Sequence, residues 1–395
     1  MYVYADNAAT TSVSKTALEA MMPMLTDCGG NPSSLHSVGQ RAAEKLSASR
    51  DIFAKYLNAR PGEITFTSGG SEADNQAILS AGLIGEKQGK KHIISTKFEH
   101  HAVLHSLKRM ERMGFEVTLL DIPADGVVTA EQVKAAIRPD TCLVTVMFAN
   151  NEIGTIMPIP EIAKVCRDAG VLFHTDAVQA AGHLAIDVQA MGIDMLSLSA
   201  HKFHGPKGVG VLYTRKGIPL TSLIEGGAQE RGKRGGTENM PGIVGAAAAF
   251  QEACENREAN AAHLIPLRDK LIAELSKIPH SKVNGDLKRR LPGNVNICFE
   301  GIEGESLLLM LDDQGVAASS GSACASGSLD PSHVLLALGL PHEVAHGSLR
   351  LSLDGWNTAA DADHILEVLP PIVTRLREMS PVWDELEHGQ RKHLI

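Results

Sequence analysis

Between about residue 60 and residue 215, short apolar runs alternate with stretches of helical spacing, and this alternation restricts the chain to a small group of folds. Ile64-Thr65-Phe66, Ile93-Ile94, Val117 to Leu120, Leu143 to Phe148, Val171-Leu172-Phe173, Met195 to Leu198 and Val209 to Tyr213 read as buried strands. Between them, segments such as Pro160 to Ala169 carry helical periodicity. Near-continuous apolar strands separated by helices imply an α/β fold, a mainly parallel sheet sandwiched by helices. Ligands of such sheets bind beyond the carboxyl ends of the strands, so the residues just after each run carry the functional information.

The chain has 395 residues, too many for one small core. Leu264, Leu267, Leu271, Leu275 and Ile278 repeat at helical spacing up to Pro279. Strands follow at Val295 to Phe299 and through the alternating Leu349, Leu351 and Leu353, with a last helix from Ala359 to Glu378. The expected division is a large domain over 15–258 and a smaller α+β domain built from 1–14 and 259–395. A formal charge of −9 argues against direct nucleic-acid binding, which needs a basic surface. The first residues, MYVYADNAATT, show no basic and apolar signal segment, and no run approaches a membrane span, so the cytoplasm is the expected location. Six dispersed cysteines without a paired spacing make a disulfide framework or cysteine-rich zinc site unexpected. Cys142 and Cys298, in apolar runs, read as core residues.

Polar or glycine-rich signals stand at nearly every strand end in the first half. TSGGSEADN follows Phe66; its Gly70 and Ser71 suit either an anion site at a helix start or an ordinary N-cap at Ser71. KFEHH follows Thr96 and offers His100, with His101 as its competitor. ANNEIG follows Phe148, and HTDAVQ places Asp176 and Gln179 at the same edge. SAHKFHGPKGVG follows Leu198. There Lys202, between a buried strand and a tight turn, is partly desolvated, which lowers the pKa of an amine toward that of a Schiff-base nucleophile. Lys207 competes but lies within the turn. An anion site, a carboxylate for a pyridinium nitrogen, a flat ring to stack and an imine-forming lysine together suit pyridoxal 5'-phosphate (PLP).

Cys324 sits in AASSGSACASGSLD, a run of small residues expected to form a mobile loop over about 317–328. A thiol outside an apolar setting is available for attack. His342-Glu343-Val344-Ala345-His346 matches a zinc-protease pattern, but Pro341 and Gly347 bracket it and no third ligand is suitably spaced downstream. No resident metal is expected.

DNAATT (6–11), GNPSSLH (30–36), NNEIG (150–154), FHTDAVQ (173–179), AHKFHGPKGVG (200–210), QERGKRGGTEN (229–239), SSGSAC (319–324) and AHGSLR (345–350) together resemble the cysteine desulfurases of the NifS/IscS group. The TEN after the glycines leans toward NifS-like members, and the likeness runs in order over essentially the whole chain. It implies a fold-type I PLP-dependent transferase, a homodimer that converts L-cysteine to L-alanine. By matching position, Lys202 would hold the cofactor as an imine, His100 would stack on its ring, Asp176 would pair with the ring nitrogen, and Gln179 would meet the phenolic oxygen. Gly70, Ser71, Ser199 and His201 would cup the phosphate, with Thr237 supplied by the partner subunit. Asn151 and Arg350 would hold the substrate carboxylate. Cys324 would carry the sulfur as a persulfide to an iron–sulfur scaffold or another acceptor protein, contacting a cluster on that partner only transiently.

Three departures stand out. Ser71 replaces the family's usual threonine, Ala325 replaces the threonine or serine common after the cysteine, and Asp354-Gly355-Trp356-Asn357 replaces a stretch that usually bears another arginine. The competing readings are a selenocysteine lyase or aminotransferase on the same fold, and a non-catalytic sulfur-relay or scaffold-binding protein.

Overall fold

The computed structural model describes residues 1–321 and 331–395. A short first strand, β1 (Val3–Tyr4), precedes the main sheet. That sheet comprises β2 (Ile64–Thr67), β3 (His92–Thr96), β4 (Glu116–Leu120), β5 (Thr141–Thr145), β6 (Leu172–Asp176), β7 (Met195–Ser199) and β8 (Gly210–Thr214). Among the described residues they are ordered β2-β8-β7-β6-β5-β3-β4. Neighbours from β4 to β7 pair in parallel, whereas β8 is antiparallel to both β7 and β2. Each apolar run of the first half has become a strand of this sheet. The run Leu143 to Phe148 outlasts its strand, although Val146 and Phe148 still donate to the carbonyls of His174 and Asp176.

Alternate residues of these strands feed two layers, as the twofold periodicity of a strand requires. Val144, Phe173, Leu198 and Val211 point into one core with Phe53 and Phe250. Leu143, Met195 and Leu212 point into the other, with Ile78, Leu107 and Met110 from the helices Gly70–Lys87 and His101–Arg112.

A third core lies beyond the sheet. β9 (Ser281–Val283), β10 (Asn294–Phe299) and β12 (Ser348–Ser352) form an antiparallel sheet, while β11 (Val316–Ala317) pairs in parallel with β1. Leu349 and Leu351 pack with Val3, Leu271, Leu307, Ile365 and Leu369. The helix Met240–Leu275 joins the cores without a break across 250–262. Ile243, Ala247 and Phe250 lie in the first core, Leu264, Leu267 and Leu271 in the third. This helix begins well before the leucine repeat, because its first half packs through small residues. A Cβ at Gly245 would stand 2.4 Å from Met21 Cγ. Glycine and alanine replace large apolar residues over much of this face, so the usual periodic sign of a buried helix is weakened there.

Two smaller features bear on sequence expectations. His342 and His346 do share a face of a five-residue helix, their rings 4.6 Å apart. Among the described residues no third ligand joins them; the group of possible ligands is instead His280, Glu300 and His393. There the two imidazoles stack at 3.5 Å with their nitrogens directed to different acceptors. His280 Nδ1 meets the Ile395 carbonyl and His393 Nδ1 meets Glu300 Oε2, each at 2.9 Å, an arrangement that pins residues 393–395 to the end of β10.

The edge strand β2 is secured by a buried ion pair. Arg50 Nη2 donates to Glu230 Oε1 at 2.7 Å, and the other carboxylate oxygen accepts from Phe66 N–H at 2.9 Å. Both side chains are buried, so removing one strands the other's charge. Arg50→Ala is therefore expected to destabilise the protein by about 3–5 kcal/mol, read as a lower urea midpoint. A midpoint within error of the parent would contradict this account.

Candidate active site

The carboxyl ends of β2, β3, β5, β6 and β7 open on a cavity of about 250 Å³. After β2, the turn Thr67-Ser68-Gly69 leads into the helix Gly70–Lys87, whose N-cap Gly69 supplies no side-chain cap. The first N–H groups of a helix have no acceptor within it, so this end suits an anion. Ser71 lies inside the helix, not at its cap, and lines the cavity. Gly70 is required by space: a Cβ there would lie 2.7 Å from Val178 Cγ2. A Cβ at Gly210 would come within 2.4 Å of the Gly69 carbonyl carbon, so β8 approaches this turn through bare backbone.

After β3, His100 caps the helix His101–Arg112, its Nδ1 accepting from Ala102 N–H at 3.1 Å. That bond leaves the proton of the neutral ring on Nε2. His101 packs against His105 and His333 and does not line the cavity. After β5, buried Asn150 holds the turn by accepting from the N–H groups of Glu152 and Ile153, which carries Asn151 into the cavity wall. Asp176 ends β6 with Gln179 one turn on, while Ser199, His201 and Lys202 follow β7.

Lys202 Nζ donates to the carbonyls of Ala8 and Ala9 at 2.5 and 2.8 Å. The segment 6–11 thus walls one side of the cavity. Ala8 also accepts from Gln179 Nε2 at 3.0 Å, and Thr11 donates to the His201 carbonyl. Arg350 reaches in from β12. Its Nη1 donates to the Asn151 carbonyl at 3.0 Å and its Nη2 to Asp6 at 2.8 Å, while its buried Nε has no partner among the described residues. Lys207 is exposed and outside the cavity.

Thr237 is exposed on the loop before the helix Met240–Leu275 and does not reach this cavity. Cys324 lies outside the described residues. The approach to it is ordered further than the expected loop start at 317. Ala317 pairs with Tyr4 in β11, and Ser319 accepts from Arg350 N–H at 2.6 Å.

Burial sets the protonation of the cavity. It pushes the Asp176 carboxyl up to about 6 even against the pull of Lys202. It lowers His100 and His201 to about 4, with the Lys202 ammonium adding to the effect. The turn after Lys202 is tied to the third core by the 354–357 departure. Although burial opposes it, the Asp354 carboxylate 2.9 Å from His204 Nε2 holds that imidazole above its usual pKa. Trp356 packs over the same ring at 4.5 Å.

Four participants were not singled out from the sequence. Asp74 lines the cavity one turn beyond Gly70; the 3.6-residue spacing from that glycine was the available signal. Asp6 meets Arg350 through its carboxylate, whereas the Ala8 and Ala9 carbonyls meet Lys202 through backbone groups that leave no mark on residue type.

These residues fit PLP. The uncapped helix start with Ser71 and Ser199 beside it suits a phosphate, and a carboxyl raised by burial suits a cationic ring nitrogen. An amine and a buried guanidinium Nε without an acceptor supply the two remaining contacts.

The class-V aminotransferase model matches residues 3–365, and the chain belongs to that family. It is 54% identical to the cysteine desulfurase IscS of Clostridium botulinum (strain Hall), over 97% of each chain. A solved NifS-like protein superposes with a TM-score of 0.89 at 38% identity, covering 95% of this chain and all of the other. A second structure, SspA in complex with cysteine, matches with a TM-score of 0.79 and 38% identity over 90% of this chain and the whole of that one. Within the class-V family the chain belongs with the cysteine desulfurases.

The depressed imidazoles have a consequence for stability. His100, His201 and His174, the last at about 3, stay neutral in the folded protein below the pH at which the unfolded chain binds protons. Their contribution is present in full above about 6.5 and is lost as pH falls toward 4. Raised carboxyls such as Asp176 act in the opposite sense, so the test is a difference: the change in urea midpoint from pH 7.5 to pH 5 should be less destabilising in His174→Gln than in the parent. An equal change in the variant would remove buried His174 as a contributor.

Proposed function

We propose that this cysteine desulfurase uses PLP in the cavity at the sheet edge, with Lys202 as its anchor and Cys324 as the sulfur carrier. The observation that carries the reading is the convergence of Lys202, Asp176, His100 and Arg350 on one cavity from four different elements. PLP, when bound, supplies an electron sink for the pair left at the substrate Cα once its proton is removed.

The residues divide the remaining work. The start of the helix Gly70–Lys87, with the Ser71 and Ser199 hydroxyls and His201, would hold the cofactor's phosphate. With the cofactor bound, Asp176 would pair with its ring nitrogen, Gln179 would meet its phenolic oxygen and His100 would cover its ring face. Arg350, with Asn151, takes the substrate carboxylate; its Nε is available for that bond while Asp6 steadies Nη2. Lys202 removes and returns the Cα proton, and His100, neutral with its proton on Nε2, is a second proton carrier. The Cys324 thiolate attacks the substrate sulfur, so the new S–S bond forms as the C–S bond breaks. The pair from that bond stays with the carbon skeleton, which leaves as alanine after gaining a proton. The persulfide then passes its outer sulfur to an acceptor protein, with iron–sulfur cluster assembly as its expected use.

A homodimer completes this reading. Leu18, Met22 and Leu25 are exposed along one face of the helix Lys15–Thr26, and Leu35, in the loop that follows it, is exposed as well. That face suits a second copy of the chain, whose Thr237 would reach the phosphate. The helix Met240–Leu275 carries residues of both the first and the third core, so the reading also takes 15–258 as one domain and 1–14 with 259–395 as the other. Among the described residues no helix is long and apolar enough to cross a membrane.

Cys324→Ala should retain the absorbance of bound PLP yet release no sulfide from cysteine; desulfuration at the parent rate would remove Cys324 from the mechanism. Lys202→Ala should lose the lysine-linked absorbance, and its persistence would point to another amine. Arg350→Lys should raise KM for cysteine roughly tenfold or more with cofactor absorbance intact, because a bidentate fork becomes a point charge. The double change Leu18→Glu with Leu25→Glu should sediment as a monomer with weakened PLP retention. A dimer of parent stability would place the interface elsewhere.

A further inference from the structure

His204, two residues beyond Lys202, lies in the left-handed backbone region at φ 64°, and every one of its polar atoms is engaged. Its N–H donates to Thr11 Oγ1 at 2.9 Å, and its carbonyl accepts from Ser14 N–H at 3.0 Å. Thr11 Oγ1 in turn donates to the His201 carbonyl at 3.0 Å. The imidazole completes the link, with Nδ1 2.9 Å from the Ser12 carbonyl and Nε2 2.9 Å from Asp354 Oδ2. A carbonyl and a carboxylate can only accept, so each ring nitrogen must carry a proton.

Asp354 is itself placed by a closed turn after β12. Its N–H donates to Asn357 Oδ1 at 2.8 Å, and Asn357 Nδ2 donates to the Tyr4 carbonyl at 3.1 Å. Trp356 lies over the imidazole at 4.5 Å, and an aromatic face favours a cation.

We propose that His204 is a positioning residue: as an imidazolium bridging Ser12 and Asp354, it fixes the turn that carries Lys202 against the segment 6–14 and the end of β12.

A neutral ring has one proton for two acceptors and must release one of them. Releasing Ser12 loosens the segment whose Ala8 and Ala9 carbonyls meet Lys202. Releasing Asp354 leaves a buried carboxylate without its cation. The titratable groups facing the ring are Asp354 and, from the helix Met240–Leu275, Glu252, while His183 faces Asp354. Both carboxylates favour the cation against burial. On the same turn Lys202 is directed at the Ala8 and Ala9 carbonyls, and Lys207 is exposed. The departure at 354–357 thus has a use in this chain: it supplies both the anion and the aromatic face.

This inference rests on the reading of Lys202 as the cofactor's anchor, but its first test does not depend on turnover. In the PLP-loaded enzyme, nitrogen NMR of histidine should find both His204 nitrogens protonated up to a midpoint above about 6.5, the ordinary imidazole value. The signals are assigned by their loss in His204→Gln. Asp354→Asn should lower that midpoint by about one pH unit or more, equivalent to ~1.4 kcal/mol. The kcat ratio of Asp354→Asn to the parent should fall about threefold or more as pH rises from below both midpoints to between them. Over the same interval the ratio for His204→Gln, which cannot titrate, should stay level. A parent midpoint at or below about 6.5, a midpoint unmoved in Asp354→Asn, or a level ratio for that variant would each overturn the proposal. If Asp354→Asn does not fold, the midpoint of the parent enzyme decides alone. Failure of the cofactor reading would appear separately, as lysine-linked absorbance persisting in Lys202→Ala.

Discussion

Parallel pairing from β4 through β7 obliges each of these strands to begin at one edge of the sheet and end at the other. Everything the chain does chemically depends on that constraint. Successive crossovers deliver His100, Asn151, Asp176 and Lys202 to one edge, along with the open start of the helix Gly70–Lys87. β8 then runs back against β7, so the segment after Lys202 must turn sharply. Gly205 and Gly210 serve the turn through close backbone contacts with Ala200 and Gly69.

The sheet edge alone leaves the cavity open on one side. The missing wall comes from the two ends of the chain. Residues 6–11 cross the opening and bind Lys202 and Gln179 through backbone carbonyls, while β12 inserts Arg350 beneath them. The same strand sends Leu349 and Leu351 into the third core, so the alternation that places Arg350 toward the cavity is enforced by apolar burial on the opposite face. A one-residue slip of β12 against β10 would bury the guanidinium among leucines.

This division explains what could be read from residue types and what could not. Lys202 and Asp176 were legible because a titratable residue directly after an apolar strand is itself informative. Lys202 and Lys207 were separable only in part by sequence, since burial decides between them and turn residues report it weakly. Asp74 stayed hidden because a carboxylate inside an amphipathic helix ordinarily marks a solvated face, whereas this helix is buried on both sides. The carbonyls of Ala8 and Ala9 left no trace, because every residue carries that group. The start of the helix at Met240 was obscured by alanines and glycines that pack as tightly as leucines without resembling them. Cys324 was legible as an odd thiol among small residues, and only the family likeness gave it a task.

The helix Met240–Leu275 is 36 residues long, a rod of about 54 Å. Its first half is embedded with the elements that hold Lys202 and Asp176, and its second half with those that hold Arg350. The amine and the guanidinium are therefore joined twice, over a distance by this rod and directly by the segment 6–11, which meets both groups. Pro266 removes a backbone donor from that rod just beyond the point where its packing passes from one core to the other. The same rod thus ties two cores that each hold one end of the cavity, and its register is fixed on either side of Pro266 by what Phe250 and Leu271 bury.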